Sequence, residues 1–187
     1  MKWIKRILLT LLIIIFILIV IFFIIGYSTY SKALKEKPLL DRVSDVTDKP
    51  NFVKFSDMSQ DYRNAVIAVE DHRFYDHGPI DIIAICRALF TNITHFELRE
   101  GGSTITQQVA KNIVFSQEQS ISRKLGEIFA AFDLEKNYTK SEIFELYVNT
   151  AYFGEGYYGI YDASMGYYNK EPKDLSLDEA SMLARSS

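Results

Sequence analysis

From Ile7 to Ile25 the chain runs for nineteen residues without a charge, and Thr10 is the one polar side chain among them. A run of that length suits a helix that crosses a bilayer. It has no polar face over five turns, so it does not fit the half-buried helix of a soluble core. The rival reading is a cleaved secretory signal, whose apolar stretch is usually shorter and precedes a small-residue cleavage site. Here Gly26-Tyr27-Ser28-Thr29-Tyr30 comes next, a poor cleavage site and a good aromatic membrane interface. Residues 1–30 are therefore expected to be a cytoplasmic tail and a single-pass anchor. Lys2, Lys5 and Arg6 before the span keep the short N-terminus inside; Lys32, Lys35 and Lys37 beyond it weaken that bias without reversing it. The remaining chain is then extracytoplasmic, at the cell membrane.

Three of the 21 basic residues precede the span, so the 24 acidic residues outnumber the basic ones in the rest of the chain. That balance argues against a nucleic-acid partner, which would need a basic stripe. Cys86 has no second cysteine to pair with, and its apolar neighbours predict a buried thiol. Residues 31–55 are charged, carry Pro38 and Pro50 and show no helical periodicity, so they are expected to form a stalk with a short strand near Asn51 to Phe55. Residues 56–187 read as helices throughout. Ser59 can cap a helix with the stripe Tyr62, Ala65, Val66 and Val69. Asp81 can cap one with Ile82, Ile85, Cys86 and Leu89 inward, and Ser120 one with Ile121, Leu125, Ile128, Phe129 and Phe132. Thr139 with Glu142 and Ser176 with Glu179 have the spacing of capping boxes. The predicted fold class is mainly α.

Residues 101–112 pack two glycines, three hydroxyls, two amides, a lysine and an asparagine around only three apolar side chains. Thr104 and Gln107 form a third capping-box pattern, and the glycines before it would expose a helix N-terminus to an anion such as a diphosphate. An ordinary capped surface helix explains the cap equally well, though not the nearby Gln108, Lys111 and Asn112. Glu70 falls four residues after Val66 and eight after Tyr62, on the apolar stripe, where a carboxylate is desolvated and becomes a general-base candidate. A buried carboxyl held by His77 or Arg73 is the structural alternative. Asp71 lies off the stripe and reads as either a solvated helix-end charge or a site residue. Glu127 comes four residues after Arg123 and three after Lys124, the spacing of a surface ion pair. No second histidine sits at ligand spacing from His77, so zinc is poorly supported. Glu70, Asp71 and Asp76 could instead attract a hard cation. Phe74 reads as a core aromatic rather than a sugar platform.

Four blocks in order give the chain a resemblance to the peptidoglycan glycosyltransferases (glycosyltransferase family 51), found as monofunctional proteins or as the N-terminal domain of bifunctional penicillin-binding proteins. They are Glu70-Asp71-His72-Arg73-Phe74-Tyr75-Asp76-His77; Gly102-Ser103-Thr104-Ile105-Thr106-Gln107-Gln108 through Lys111-Asn112; Arg123-Lys124-Leu125-Gly126-Glu127; and Glu145-Leu146-Tyr147-Val148-Asn149. A looser fifth block covers Ala163 to Tyr168 and Glu179 to Ala184. Two departures stand out. Gly78 precedes Pro79 where the family has a variable residue and then glycine, which implies a different turn. The sequence stops at Leu183-Ala184-Arg185-Ser186-Ser187 where members continue, which resembles a shortened member with Met182 and Leu183 left uncovered.

The resemblance implies a lysozyme-like helical fold and polymerisation of lipid II into glycan strands by inverting transfer. It makes Glu70 and Glu127 the catalytic carboxylates. Substrate-binding roles fall to Asp71, Phe74, His77, Ser103, Thr104, Gln107, Gln108, Lys111, Asn112, Arg123, Lys124, Tyr147 and Asn149, with bracing of the site preferred for Glu145 and Asn149. It also implies a Mg or Mn ion, with Glu70 and Asp71 as candidate ligands. The expected partners are lipid II, the growing strand, the bilayer and other wall-synthesis proteins. Two alternatives stay open: a lytic muramidase, which would cleave glycan with one acidic glutamate, and a non-catalytic anchored scaffold.

Overall fold

The computed structural model describes residues 2–95, 101–115 and 120–186, apart from the side chain of His95. Its described residues form nine α-helices and two short 3-10 turns, and no strand. The expected mainly α fold is the one observed. Helix α1, Lys2–Glu36, is long and apolar enough to cross a membrane. At 1.5 Å per residue its 35 residues span about 52 Å, well beyond a hydrocarbon core of about 30 Å. Its last turns continue past the apolar run, where Gly26 and Ala33 are buried against the domain.

The segment expected to be a stalk is not one. Helix α2, Leu39–Thr47, begins after Pro38 and buries Leu39, Val43 and Val46, spaced by four and then three on one face. Arg42 on this helix donates to the carbonyls of Ala33 and Lys37 at the end of α1 and of Ile113 in α5, Ile105–Val114. One guanidinium thus ties the C-terminal ends of α1 and α5 to α2. The expected strand near Asn51 to Phe55 is absent, because a side chain takes the place of a partner strand. Asn149 accepts from the Val53 N–H and donates to the Val53 carbonyl, while Glu145 accepts from the Phe55 N–H.

The caps are where their spacing placed them. Ser59 opens α3, Gln60–Glu70; Asp81 accepts from two N–H groups at the start of α4, Ile82–His95; Ser120 opens α6, Ile121–Asn137. Full capping boxes open α5 and α7, Lys140–Thr150. After α8, Ile160–Tyr168, helix α9, Leu177–Ser186, packs against α3 and buries Leu183; Met182 stays exposed. The expectation that Leu183 would be uncovered is thus corrected by its seat on α3.

The core gathers Tyr62, Val66, Phe74, Val109, Leu134, Phe144, Leu146 and Tyr147 from α3, α5, α6, α7 and the loop after α3. Helix α6 differs from its predicted face: Ile121 and Phe132 are exposed, and Gly126, Glu127, Ala130, Ala131 and Leu134 are buried. It lies between α1 and α5, so two of its faces are covered. Helix α4 also departs. Ile82, Leu89 and Cys86 are exposed, together with Ile83, Phe90 and Ile93, so the thiol expected to be buried is open.

Candidate active site

Glu70 is the last residue of α3, where the stripe through the fully buried Tyr62 and Val66 runs out into a cleft. The carboxylate is half-buried, and its Oε2 accepts a 2.7 Å hydrogen bond from Gln108 Nε2 on α5. The cleft, about 340 Å3, lies between the end of α3, the first turns of α4 and the loop 101–104. Ser103, Thr104, His72, Asp81 and Arg87 line it with Glu70. Neither His77 nor Arg73 holds Glu70: His77 pairs with Asp71 and Arg73 with Asp81. The structural alternative for Glu70 therefore lacks its partners, and a short amide hydrogen bond sets the carboxylate's orientation instead.

Asp71 is not a solvated charge. It closes α3 with its side chain 5% exposed; Oδ1 lies 2.7 Å from His77 Nε2, and Oδ2 accepts from the Ile105 N–H at 3.1 Å. The first free N–H of α5 is taken by this carboxylate, and the Gln107 N–H by Thr104 Oγ1. The helix opening expected to receive a diphosphate thus already carries an anion from the protein. Thr104 also donates to the Pro79 carbonyl, and the Gln107 side chain accepts from the Thr104 N–H. Asp71, His77, Thr104 and Gln107, predicted as substrate ligands, hold the α3 end, the loop after it and α5 together, although Asp71 and Thr104 also form part of the cleft wall.

Other predicted ligands lie deeper. Phe74 is fully buried, with Lys140 Nζ 4.5 Å from its ring centroid, and Tyr147 is 1% exposed in the core. Both are large side chains that the packing needs. Asn149 braces residues 51–55, in keeping with the bracing role preferred for it and Glu145. Asn112 makes two long contacts of 3.4 Å to Thr150 at the far end of α5 from the cleft. Lys111 lies one turn beyond Gln108 on α5 and does not line the cleft.

Glu127 has no exposed surface. Lys124 Nζ donates to its Oε2 at 2.8 Å and also to Ser103 Oγ at 2.9 Å, which links α6 to the cleft wall. Arg123 Nε stands 3.1 Å from Oε1, at ion-pair distance without the alignment of a hydrogen bond. A surface ion pair, the simplest reading of this spacing, fails because the carboxylate is wholly buried between two cations.

Arg87 is a cleft residue that sequence reasoning missed. It lines the cleft from α4, with Nη1 3.3 Å from His72 Nε2. A signal for it exists: it is the one charged side chain in the otherwise apolar and neutral run from Ile82 to Thr94.

A cluster of Asp71, His77 and Asp81 brings ligand atoms within 4.8 Å of one another. Its oxygens are already committed. Asp81 accepts from the Ile83 and Ala84 N–H groups and pairs with Arg73 at 3.0 Å. Burial alone would push its carboxyl up, but the Ala84 N–H and the Arg73 guanidinium outweigh it and hold it below the usual carboxylate range. A hard divalent cation favours several open oxygens, and the Arg73 guanidinium beside Asp81 opposes a cation at this cluster. In the Glu70–Asp71 pair each Asp71 oxygen has one partner and Glu70 Oε2 accepts from Gln108.

The sequence profile of the Transglycosylase family matches residues 36–187, most of the chain, and takes in every side chain of the cleft. The chain belongs to the transglycosylase family. This match covers α2 and the last residue of α1 as well as the helices around the cleft, so the family domain includes residues 36–55 of the segment whose sequence reads as a stalk. Among its relatives, penicillin-binding protein 1A of Neisseria lactamica is 45% identical over 133 residues, 71% of this transglycosylase chain and 17% of the relative. Penicillin-binding protein 1F of Bacillus subtilis is 44% identical over 138 residues, 74% of the chain and 19% of the relative. A Cupriavidus necator protein named as a transglycosylase is 41% identical over 152 residues, 81% of this chain and 65% of its own length. The chain thus spans under a fifth of the penicillin-binding proteins it matches and about two thirds of the Cupriavidus protein.

Proposed function

We propose that this transglycosylase polymerises lipid II, a disaccharide-peptide on a polyprenyl diphosphate, at the outer face of the cell membrane. The observation that carries the reading is Glu70: a carboxylate at the rim of the core, opening into a polar cleft and held by Gln108 through one oxygen. That arrangement leaves Oε1 to take the proton of the acceptor's sugar 4-hydroxyl as the oxygen attacks the anomeric carbon of the growing strand. The carbon inverts, and the C–O bond to the lipid diphosphate breaks with its electrons going to the diphosphate. Stabilising that charge is the task of cations rather than of the α5 N-terminus, which Asp71 occupies. Lys124 beside Ser103, Arg123 behind it and Arg87 in the cleft are assigned to this role.

The membrane placement rests on α1 and α4. The cationic residues before the span orient the folded domain outward. The exposed Ile82, Ile83, Leu89, Phe90 and Ile93 of α4 present an apolar surface suited to lipid rather than water. A substrate with a long lipid tail would then reach Glu70 without leaving the bilayer. The test supplies purified lipid II to the full chain in detergent and measures glycan polymer and released polyprenyl diphosphate together. Both products are expected; hydrolysis of preformed glycan without polymer would instead favour the lytic reading.

A further inference from the structure

The anchor packs chiefly against one helix of the domain, and that helix bears Glu127. The buried residues of α1 are Gly26 and Ala33, two turns apart on one face. A Cβ at Gly26 would lie 2.8 Å from the Phe129 ring, 2.9 Å from the Leu125 carbonyl oxygen and 3.0 Å from the Leu125 Cβ. The backbones of α1 and α6 are therefore in direct contact. Gly126, one residue before Glu127, is enclosed in turn: its Cβ would meet Phe115 at 2.8 Å and Thr29 of α1 at 3.2 Å. Around this contact the rings of Phe23, Tyr27 and Tyr30 surround Phe129, with centroids 5.0, 5.8 and 6.3 Å away. Tyr30 Oη donates a 2.6 Å hydrogen bond to Asp133, one turn beyond Phe129 on α6.

Leu125, Gly126 and Phe129 thus meet the anchor from the same two turns that aim Arg123, Lys124 and Glu127 at Ser103 and the cleft. Sliding or rotating α6 would move both sets together. We propose that residues Gly26 to Tyr30 of the anchor are positioning residues: they fix the axial position and rotation of α6, and through it the Glu127 cluster, so the anchor contributes to turnover as well as to location. This rests on the polymerase reading above. Displacing a reacting or charge-stabilising group by about 1 Å can cost about 100-fold in rate, and a leucine at position 26 cannot be accommodated without moving α1 away from α6.

The experiment measures lipid II turnover by the full chain in detergent micelles, where membrane location no longer matters. Gly26→Leu is expected to lower kcat per folded molecule about tenfold or more with KM little changed. Replacing residues 7–20 by leucines, which leaves the contact intact, is expected to change neither. Tyr30→Phe removes a single oxygen and carries the test if Gly26→Leu fails to fold; its kcat is expected to fall by a smaller factor. A wild-type kcat in the folded Gly26→Leu and Tyr30→Phe chains overturns the inference and leaves the polymerase reading standing, as does an equal loss in the leucine-replaced anchor. A wild-type chain that forms no polymer removes both.

Discussion

Asp71→Ala separates a brace from a substrate ligand. The Asp71 side chain is 5% exposed and answers two groups: the Ile105 N–H at 3.1 Å, and His77, itself 5% exposed, at 2.7 Å. Alanine leaves the Ile105 amide without an acceptor, which costs about 1–3 kcal/mol, and removes the hydrogen-bond contact to His77 Nε2, worth about 0.5–1.5 kcal/mol. The expected loss is about 2–4 kcal/mol. At about 2–4 °C per kcal/mol for a domain of this size, the melting temperature should fall by about 4–16 °C. Asp71→Asn keeps a carbonyl for the Ile105 N–H and the shape of the side chain, so its loss should be about half or less. Urea and thermal unfolding in detergent, read by far-ultraviolet circular dichroism, compare both variants; the anchor helix adds only a constant signal. Asp71→Ala that unfolds like the wild type yet turns over no lipid II would refute the brace and return Asp71 to the substrate.

Asn149→Ala strips both backbone groups of Val53 of their partner and should cost about 2–4 kcal/mol with detached residues 51–55; proteolysis confined to that segment checks it, and unchanged stability contradicts it. The Asp81 carboxyl is held below its ordinary range, so its stabilisation is present above about pH 4, the unfolded value, and is lost as pH falls through the lower folded value. Asp81→Asn should therefore be less stable at neutral pH and show a shallower acid limb, and parallel pH curves for the two chains would count against this. Cys86 lies exposed on α4 and should react faster with a lipid-soluble maleimide than with a charged one in proteoliposomes; the opposite order would place α4 in water.

Much of the fold is legible where local chemistry decides it. Thr104 with Gln107 and Thr139 with Glu142 are capping boxes in sequence and in space, because each uses side chains three residues apart and no tertiary partner. Helix α2 has its signal too, in Leu39, Val43 and Val46 after Pro38, but the charged residues around so short a stripe mask it. The bracing of residues 51–55 is not legible, since the chain segment and Asn149 meet across 96 residues. At the site, helical period carries Glu70 from Val66 to the rim, which makes it readable. Phe74, Tyr147, Gln107 and Asp71 fall in blocks rich in chemical side chains, so the resemblance assigns them to substrate. Burial separates scaffold from surface, and period alone does not report it when the covering elements come from α5 and α7. Arg87 is the reverse case, a lone cation in an apolar run that packing turns toward the cleft.

The central claim is that Glu70 accepts the proton of the attacking hydroxyl. Glu70→Gln preserves shape and can still meet Gln108, since an amide offers an oxygen in place of Oε2. The measurement is lipid II turnover by wild-type and Glu70→Gln chains at equal folded concentration, with thermal unfolding run alongside. A transferable proton acceptor typically contributes about 100- to 10,000-fold, so polymer formation should fall by at least about 100-fold with the melting temperature little changed. Turnover within a few-fold of wild type in the folded variant would contradict the claim.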